Sequence, residues 1–431
     1  MPRASIIQRY MLLSLPLILS VRSFAEEKPS SQEIIELSAS IMVRQTTDGK
    51  KVDGGVDPLL WWTSRYLLEG PSHARFVRAL DVFNALPDAQ VDVLPPLHRA
   101  VLQRHLWTVF DWFVSSSRHP PTPVDDGLKG KVVAALKKAA LSRVQISTLP
   151  DPYQTTVIAK RFNPHYDSEK PFKPYLPTDL FAEDGSWICI NSDFEGAASA
   201  QVHGEDQQWR TAFTIFVSLP GGREATRGYL RKLEAFKLPF VSRGGGKVHP
   251  KTPKFPKGTR WALVRRALLI TNKGEVVSSP LIESVQLRTY HLILARNDPD
   301  FPKGSPYMTL GGAAFAELNL NSTQVLTGAD PVLRALPEET GKPKPFSTRG
   351  HEDPFPDLSK ARFHTEGLFD CASCHGGPGI HSVASRNLLF RPRVKVAPIF
   401  RPGIPSQSHN FAIKMKTKNP SWKELRGSWG E

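Results

Sequence analysis

Thr211-Ala212-Phe213-Thr214-Ile215-Phe216-Val217-Ser218-Leu219 puts Phe213, Ile215, Val217 and Leu219 on one side of an extended chain and Ala212, Thr214, Phe216 and Ser218 on the other. Side chains alternate across a strand with a period of two, so this run predicts a β-strand. Pro220-Gly221-Gly222 marks its end. Trp261 to Ile270, followed by a turn at Asn272-Lys273-Gly274, and Glu283 to Leu294 give the same reading. Residues from about 150 to 325 are therefore expected to hold a mostly antiparallel sheet.

Upstream, the apolar spacing is helical. Ser30 and Glu33 have the pattern of a capping box ahead of Ile34, Leu37 and Ile41. After Pro95-Pro96, the set Leu97, Val101, Val109, Phe110 and Phe113 keeps helical spacing, and Leu128, Val132, Leu136 and Ala140 repeat it beyond Pro120-Pro121. His98 and His105 in this region read as packing or surface histidines. The expected fold class is α+β: a helical region over 26–149, an α+β region with antiparallel strands over 150–325, and a loop-rich segment over 326–431. Val241 to Arg260 carries six Lys and Arg, three glycines in a row and no acid, and is expected to be an exposed loop.

The first 25 residues read as a secretory signal. Arg3 and Arg9 form a basic start, Tyr10 to Val21 is mostly apolar, and Ser23-Phe24-Ala25 offers small residues for cleavage. The apolar run is too short to span a bilayer, and no later stretch reaches about 18 uncharged apolar residues, so no membrane span is expected after cleavage. The expected localisation is periplasmic or otherwise exported. Cleavage removes Arg3, Arg9 and Arg22 and no acid, so the formal charge falls from +15 to +12. An exported chain has little occasion to meet nucleic acid, and this charge suits an acidic redox protein or an anionic surface as partner.

The chain has only 3 cysteines, too few for a disulfide framework. Cys189 lies in Trp187-Ile188-Cys189-Ile190 and reads as a buried, inert thiol on a strand. The other two stand in Cys371-Ala372-Ser373-Cys374-His375, the spacing of a covalent haem attachment site. Two thiols three positions apart can each form a thioether to a vinyl group, while the adjacent imidazole reaches the iron. Export supports the reading, since covalent haem is installed outside the cytoplasm. A thioredoxin-like dithiol needs a βαβ setting, and a zinc site needs further ligands at metal spacing; neither context is visible.

Through these residues the chain resembles the c-type cytochrome family. The resemblance implies one haem c bound through Cys371 and Cys374, with His375 as axial ligand. It also suggests that the Pro378 carbonyl orients the imidazole. Phe369 stands where class I cytochromes place an apolar aromatic, but Pro356 and Gly367 interrupt the regular helix those proteins have there. For the sixth position Met415 is the favoured candidate, with His364, His381, His409 and Met308 as rivals and an open site as a further option. The functional expectation is single-electron transfer. The alternatives are a haem enzyme of peroxidase-like or P460-like type and a haem-bearing sensor or binding module. For an enzyme, His165 and His203 are the polar spots of the middle region, without a distal acid/base set around them.

Overall fold

A computed structural model describes residues 31–42, 45–46, 67–114, 124–191, 204, 208–236, 249–294, 299–300, 312–336, 346–347, 379–384 and 400–429. The predicted signal segment, Ser30, His203, Met308, His364, Phe369 and the Cys371 to Pro378 stretch lie outside these residues. The fold is α+β. Its helices are α1 Gln32–Ile41, α2 Gly70–Ala85, α3 Asp88–Asp92, α4 Pro96–Val114, α5 Asp126–Ala139, α6 Arg143–Ser147, α7 Pro152–Ile158, α8 Gly222–Ala235, α9 Ser322–Leu326, α10 Ile380–Ala384, α11 Pro405–Lys418 and α12 Pro420–Trp429. Its strands are β1 Gln45–Thr46, β2 Ile188–Asn191, β3 Thr211–Ser218, β4 Arg260–Ile270, β5 Val276–Tyr290, β6 Ala313–Leu320, β7 Leu333–Leu336, β8 Phe346–Ser347 and β9 Arg401–Pro402. Strands β1 and β8 pair with each other. The other seven form one antiparallel sheet in the order β7-β6-β5-β4-β3-β2-β9.

Helix α4 is the centre of the helical layer. Every residue from Arg99 to Phe113 is buried, because α1, α5, α12 and β4 pack around it. A helix enclosed on all sides shows no single apolar stripe, so its polar residues must find partners inside. Gln103 does so by bonding both backbone groups of Ile270, accepting from its N–H at 2.8 Å and donating to its C=O at 2.8 Å. Helices α5, α6 and α7 begin on side-chain caps. Asp125 accepts from the Gly127 N–H, Ser142 and Gln145 form a capping box, and Asp151 accepts from Tyr153 and Gln154. The capping box expected at Ser30 lies outside the described residues. Helix α1 has Ser31 as its N-cap, and the Ser31 hydroxyl meets Nδ1 of His98 at 2.9 Å rather than capping the helix.

The sheet has two unlike faces. Ala212 and Phe216 of β3, Ala262 and Val264 of β4, Val285 and Leu287 of β5, and Ala316 and Leu318 of β6 share one cluster with α1, α2, α4, α5, α11 and α12. This is the helical face. Val217 and Leu219, Trp261, Tyr290, Ala313 and Phe315 form a second cluster with Tyr229, Leu230 and Leu233 of α8, Phe255, Ile380 and Phe400. This is the far face. Burial of each large apolar side chain contributes about 1.5–3 kcal/mol, so both clusters hold the sheet in place.

Several expectations are corrected in detail. Strand β5 starts at Val276, seven residues before Glu283, and ends at Tyr290. Pro280 of this strand cannot donate to a ladder. The strand tolerates it at a bulge, where the register against β4 shifts between Arg266 and Leu268 and Ser279 donates to the Ala267 carbonyl at 2.8 Å. The basic loop is not exposed throughout, since Phe255 is fully buried in the far-face cluster. The C-terminal stretch is not simply loop-rich either, since α11 and α12 occupy most of 405–429. Helices from 26–149, strands from 150–325 and α11 and α12 from the last stretch share the first hydrophobic cluster.

Candidate functional site

The far face gathers the described residues nearest in sequence to the Cys-x-x-Cys-His motif. Gly379, four positions after His375, has φ +49 and packs so closely that a Cβ there would lie 3.0 Å from Cγ2 of Ile293 and 3.7 Å from Phe255. Glycine meets both demands at once, having no Cβ and free access to positive φ. Helix α10 follows, and it is fixed by Ser382, whose hydroxyl meets the Tyr290 hydroxyl and donates to the Gly379 carbonyl at 2.8 Å. Ile380 is buried in the same cluster.

The ground beneath is aromatic. Phe255 stands 4.8 Å from Tyr290 and 6.0 Å from Trp261, and Trp261 stands 5.3 Å from Phe400, measured between ring centres. Such tilted pairs contribute about 0.5–1.5 kcal/mol each beyond the area they bury. Full burial raises the Tyr290 hydroxyl above the usual phenol range, so it stays protonated. Trp261 is 4 % exposed, and its indole N–H has no acceptor among the described residues. A buried donor left unpaired costs about 1–3 kcal/mol.

Beside this ground, Tyr166 meets His291 through its hydroxyl and Nε2, with the rings 5.2 Å apart. Burial, with the Lys257 charge second, lowers the His291 imidazole to about 4, so it is neutral at pH 7. His381 on α10 is half-buried and is also lowered, by burial and then by Lys254. Further along the same face, cross-strand rows run Leu263–Gln286–Glu317 and Phe213–Arg265–Ser284–Asn319–Arg334. Arg288 donates to Gln286 at 2.9 Å and stacks 4.9 Å above the Phe315 ring.

The candidates from sequence fall in different places. Cys371, Cys374 and His375 lie outside the described residues. Met415 and His409 both lie on α11, which packs on the helical face against β3 and β5. The sheet therefore stands between Met415 and the Gly379 anchor. His409 is lowered to about 4 by burial and then by Arg266. His165 is exposed, with its N–H on the Asn163 side chain. Cys189 is buried on β2, and burial raises its thiol to about 12, as an inert thiol requires. Tyr166, Trp261 and Tyr290 were not among the sequence candidates, because a lone aromatic in a strand or loop carries no chemical pattern.

A second concentration of charge is sealed between the layers. Arg104 meets Glu283 at 2.9 Å and Thr211 at 2.9 Å, and Thr211 donates to Glu283 at 2.7 Å. Arg210 donates to Asp111 at 2.8 Å. Lys416 meets the same carboxylate, donates to Ser421 at 3.2 Å and lies 5.0 Å over the Trp107 ring. These groups pair with one another at near-zero exposure, which suits a structural role. Among the described residues no group of three or more His, Cys, Asp or Glu is placed to hold a metal ion, and no helix is long and apolar enough to cross a membrane. No protein family, curated protein or solved structure matches this chain.

Proposed function

We propose that the protein is an exported monohaem c-type cytochrome that transfers single electrons, with haem c held by Cys371 and Cys374 and ligated by His375. The observation that carries this reading is the Cys371-Ala372-Ser373-Cys374-His375 spacing. Four peptide units keep His375 within about 14 Å of Gly379, whatever path the chain takes. The surroundings of that anchor suit the group. Phe255, Tyr290 and Phe400 pack as an apolar floor beneath the anchor, and the partly buried Ile293 beside Gly379 leaves apolar surface for a macrocycle. Bound haem supplies one-electron chemistry, and an apolar surround tunes its potential by excluding water. Within this reading, the far face favours a sixth ligand other than Met415. The basic charge supports an acidic redox partner, and the signal-like first 25 residues support export.

A haem enzyme is the second reading, and the Tyr166–His291 pair favours it. A neutral imidazole bonded to a phenol can accept and return a proton at neutral pH. Production in a host able to mature c-type cytochromes tests the first reading. One haem mass that survives denaturation, with a haem c pyridine haemochrome, is expected; a bare polypeptide mass overturns it. Six-coordinate low-spin iron then supports the carrier, and high-spin iron that binds cyanide rapidly supports the enzyme.

A further inference from the structure

Away from the far-face anchor, an open cleft of about 920 Å³ lies between the end of α7, the loop that follows it, and the edge strand β7. Its floor is apolar, formed by Val157, Phe162, Pro164, Pro174, Leu176 and Ala335. Four cations line it: Lys160, Arg161, Lys173 and Arg334. Among the described residues, no Asp or Glu lines it and none of the four cations forms an ion pair. The volume is in the range of small-molecule sites, where an apolar lining gives affinity and a few polar groups fix orientation.

The conformation of Lys160 is a second, independent sign. Helix α7 ends in a Schellman turn, with the Arg161 N–H on the Thr156 carbonyl at 3.4 Å and the Lys160 N–H on the Val157 carbonyl at 3.0 Å. The residue that closes such a turn is usually glycine, because it must adopt positive φ. Here it is Lys160, at φ +50. A side chain in that region is strained, and retained strain of this kind points to a use for the side chain. Attraction to the helix C-terminus accounts for a cation at Lys160 or Arg161. It does not account for Lys173 or Arg334, which reach the cleft from other elements. Arg334 is held there by β7, whose Leu333 N–H donates to the Thr156 hydroxyl at 2.7 Å and so ties the strand to α7.

We propose that this cleft binds an amphipathic organic anion, its apolar body on the Phe162 and Leu176 floor and its phosphate, sulfate or carboxylate headgroup among Lys160, Lys173 and Arg334. The site is independent of haem and stands whether or not the cytochrome reading holds.

Calorimetric titration of the full mature chain with 1-naphthyl phosphate tests it, with inorganic phosphate and 1-naphthol as the separate charge and apolar probes. The expected result is saturable binding of 1-naphthyl phosphate, with both partial probes at least about tenfold weaker. The double variant Lys173→Ala, Arg334→Met should lose about tenfold or more, while Lys423→Ala, at an exposed position on α12, leaves affinity unchanged. Lys160→Gly should raise the thermal midpoint and still weaken binding, a split that a purely structural lysine does not produce. Absence of binding at millimolar probe, equal affinity in the double variant, or inorganic phosphate binding as tightly as the aromatic ester overturns the proposal.

Discussion

Lys416 Nζ lies 2.6 Å from Oδ2 of Asp111, two residues 305 positions apart in sequence and both wholly buried. The same oxygen accepts from Arg210, so one carboxylate neutralises two cations. With Arg104 and Glu283 alongside, this network holds three cations against two carboxylates. The imbalance falls on Lys416. Burial pulls its ammonium down to about 8, Asp111 opposing the shift and Arg210 and Arg104 adding to it.

The two ends of this contact should respond unequally to substitution. Asp111→Ala leaves Arg210 and Lys416 together in the interior without their counter-charge, and a loss of about 3–5 kcal/mol is expected. Lys416→Met removes one cation and leaves Asp111 paired with Arg210, so a change within about 1.5 kcal/mol is expected. Urea unfolding of both variants checks the order; equal losses would show that the network is not governed by charge balance.

Stability should depend on alkaline pH through this group. The folded pKa of about 8 lies below the ordinary lysine value of 10.5, so between them the unfolded chain binds more protons than the folded one. Stability conferred by Lys416 therefore rises as pH increases from about 8 to 10.5. Unfolding curves from pH 7 to 10 should show this rise in the native chain and its loss in Lys416→Met.

Gly379→Ala should unseat the segment that follows the haem motif. The added Cβ meets Ile293 at 3.0 Å in a backbone conformation that L-residues avoid, costing about 1–2 kcal/mol for the conformation alone. A lower yield of haem-bearing protein from a maturing host, with the helical content by circular dichroism retained, is the expected outcome. Undiminished haem content would show that the anchor at Gly379 does not matter to attachment.

Met415→Ala should leave the optical spectrum of the haem protein unchanged. Met415 packs against the helical core, across the sheet from the Gly379 anchor, so the substitution is expected to act as a cavity costing about 2–4 kcal/mol at most. A conversion of low-spin to high-spin iron in this variant would restore Met415 as the sixth ligand.

Thiol counting with Ellman's reagent gives a compact check on attachment. If Cys371 and Cys374 carry haem, the native chain should show no reactive thiol, because burial holds Cys189 protonated up to about 12. Unfolding should then release one thiol per chain. Three on unfolding would mean that neither cysteine is bound.

The sequence determined what short-range pattern can encode. The period of two over Thr211 to Leu219 marked β3, the run from Trp261 up to the Asn272-Lys273-Gly274 turn marked β4, and the helical spacing of Leu97 to Phe113 marked α4, because each of these signals lies in consecutive residues. The haem motif was legible for the same reason, its chemistry lying in five adjacent residues. Strand β6 escaped because three of its first four residues are alanine and Glu317 and Asn319 interrupt its apolar run, so it lacks the β-branched and aromatic pattern that marks β3. Helix α11 escaped because Lys414 and Lys416 flank Met415 alike in sequence, yet one is exposed and the other enclosed.

Only the tertiary structure decided which residues meet across the layers. It put Met415 and Gly379 on opposite faces of the sheet, joined Lys416 to Asp111, and brought Lys160, Lys173 and Arg334 around one cleft. These meetings depend on strand order and helix packing, and a charge carries no mark of the partner that burial will give it. Local spacing records the chemistry a segment can perform; long-range packing fixes where that chemistry stands and what surrounds it.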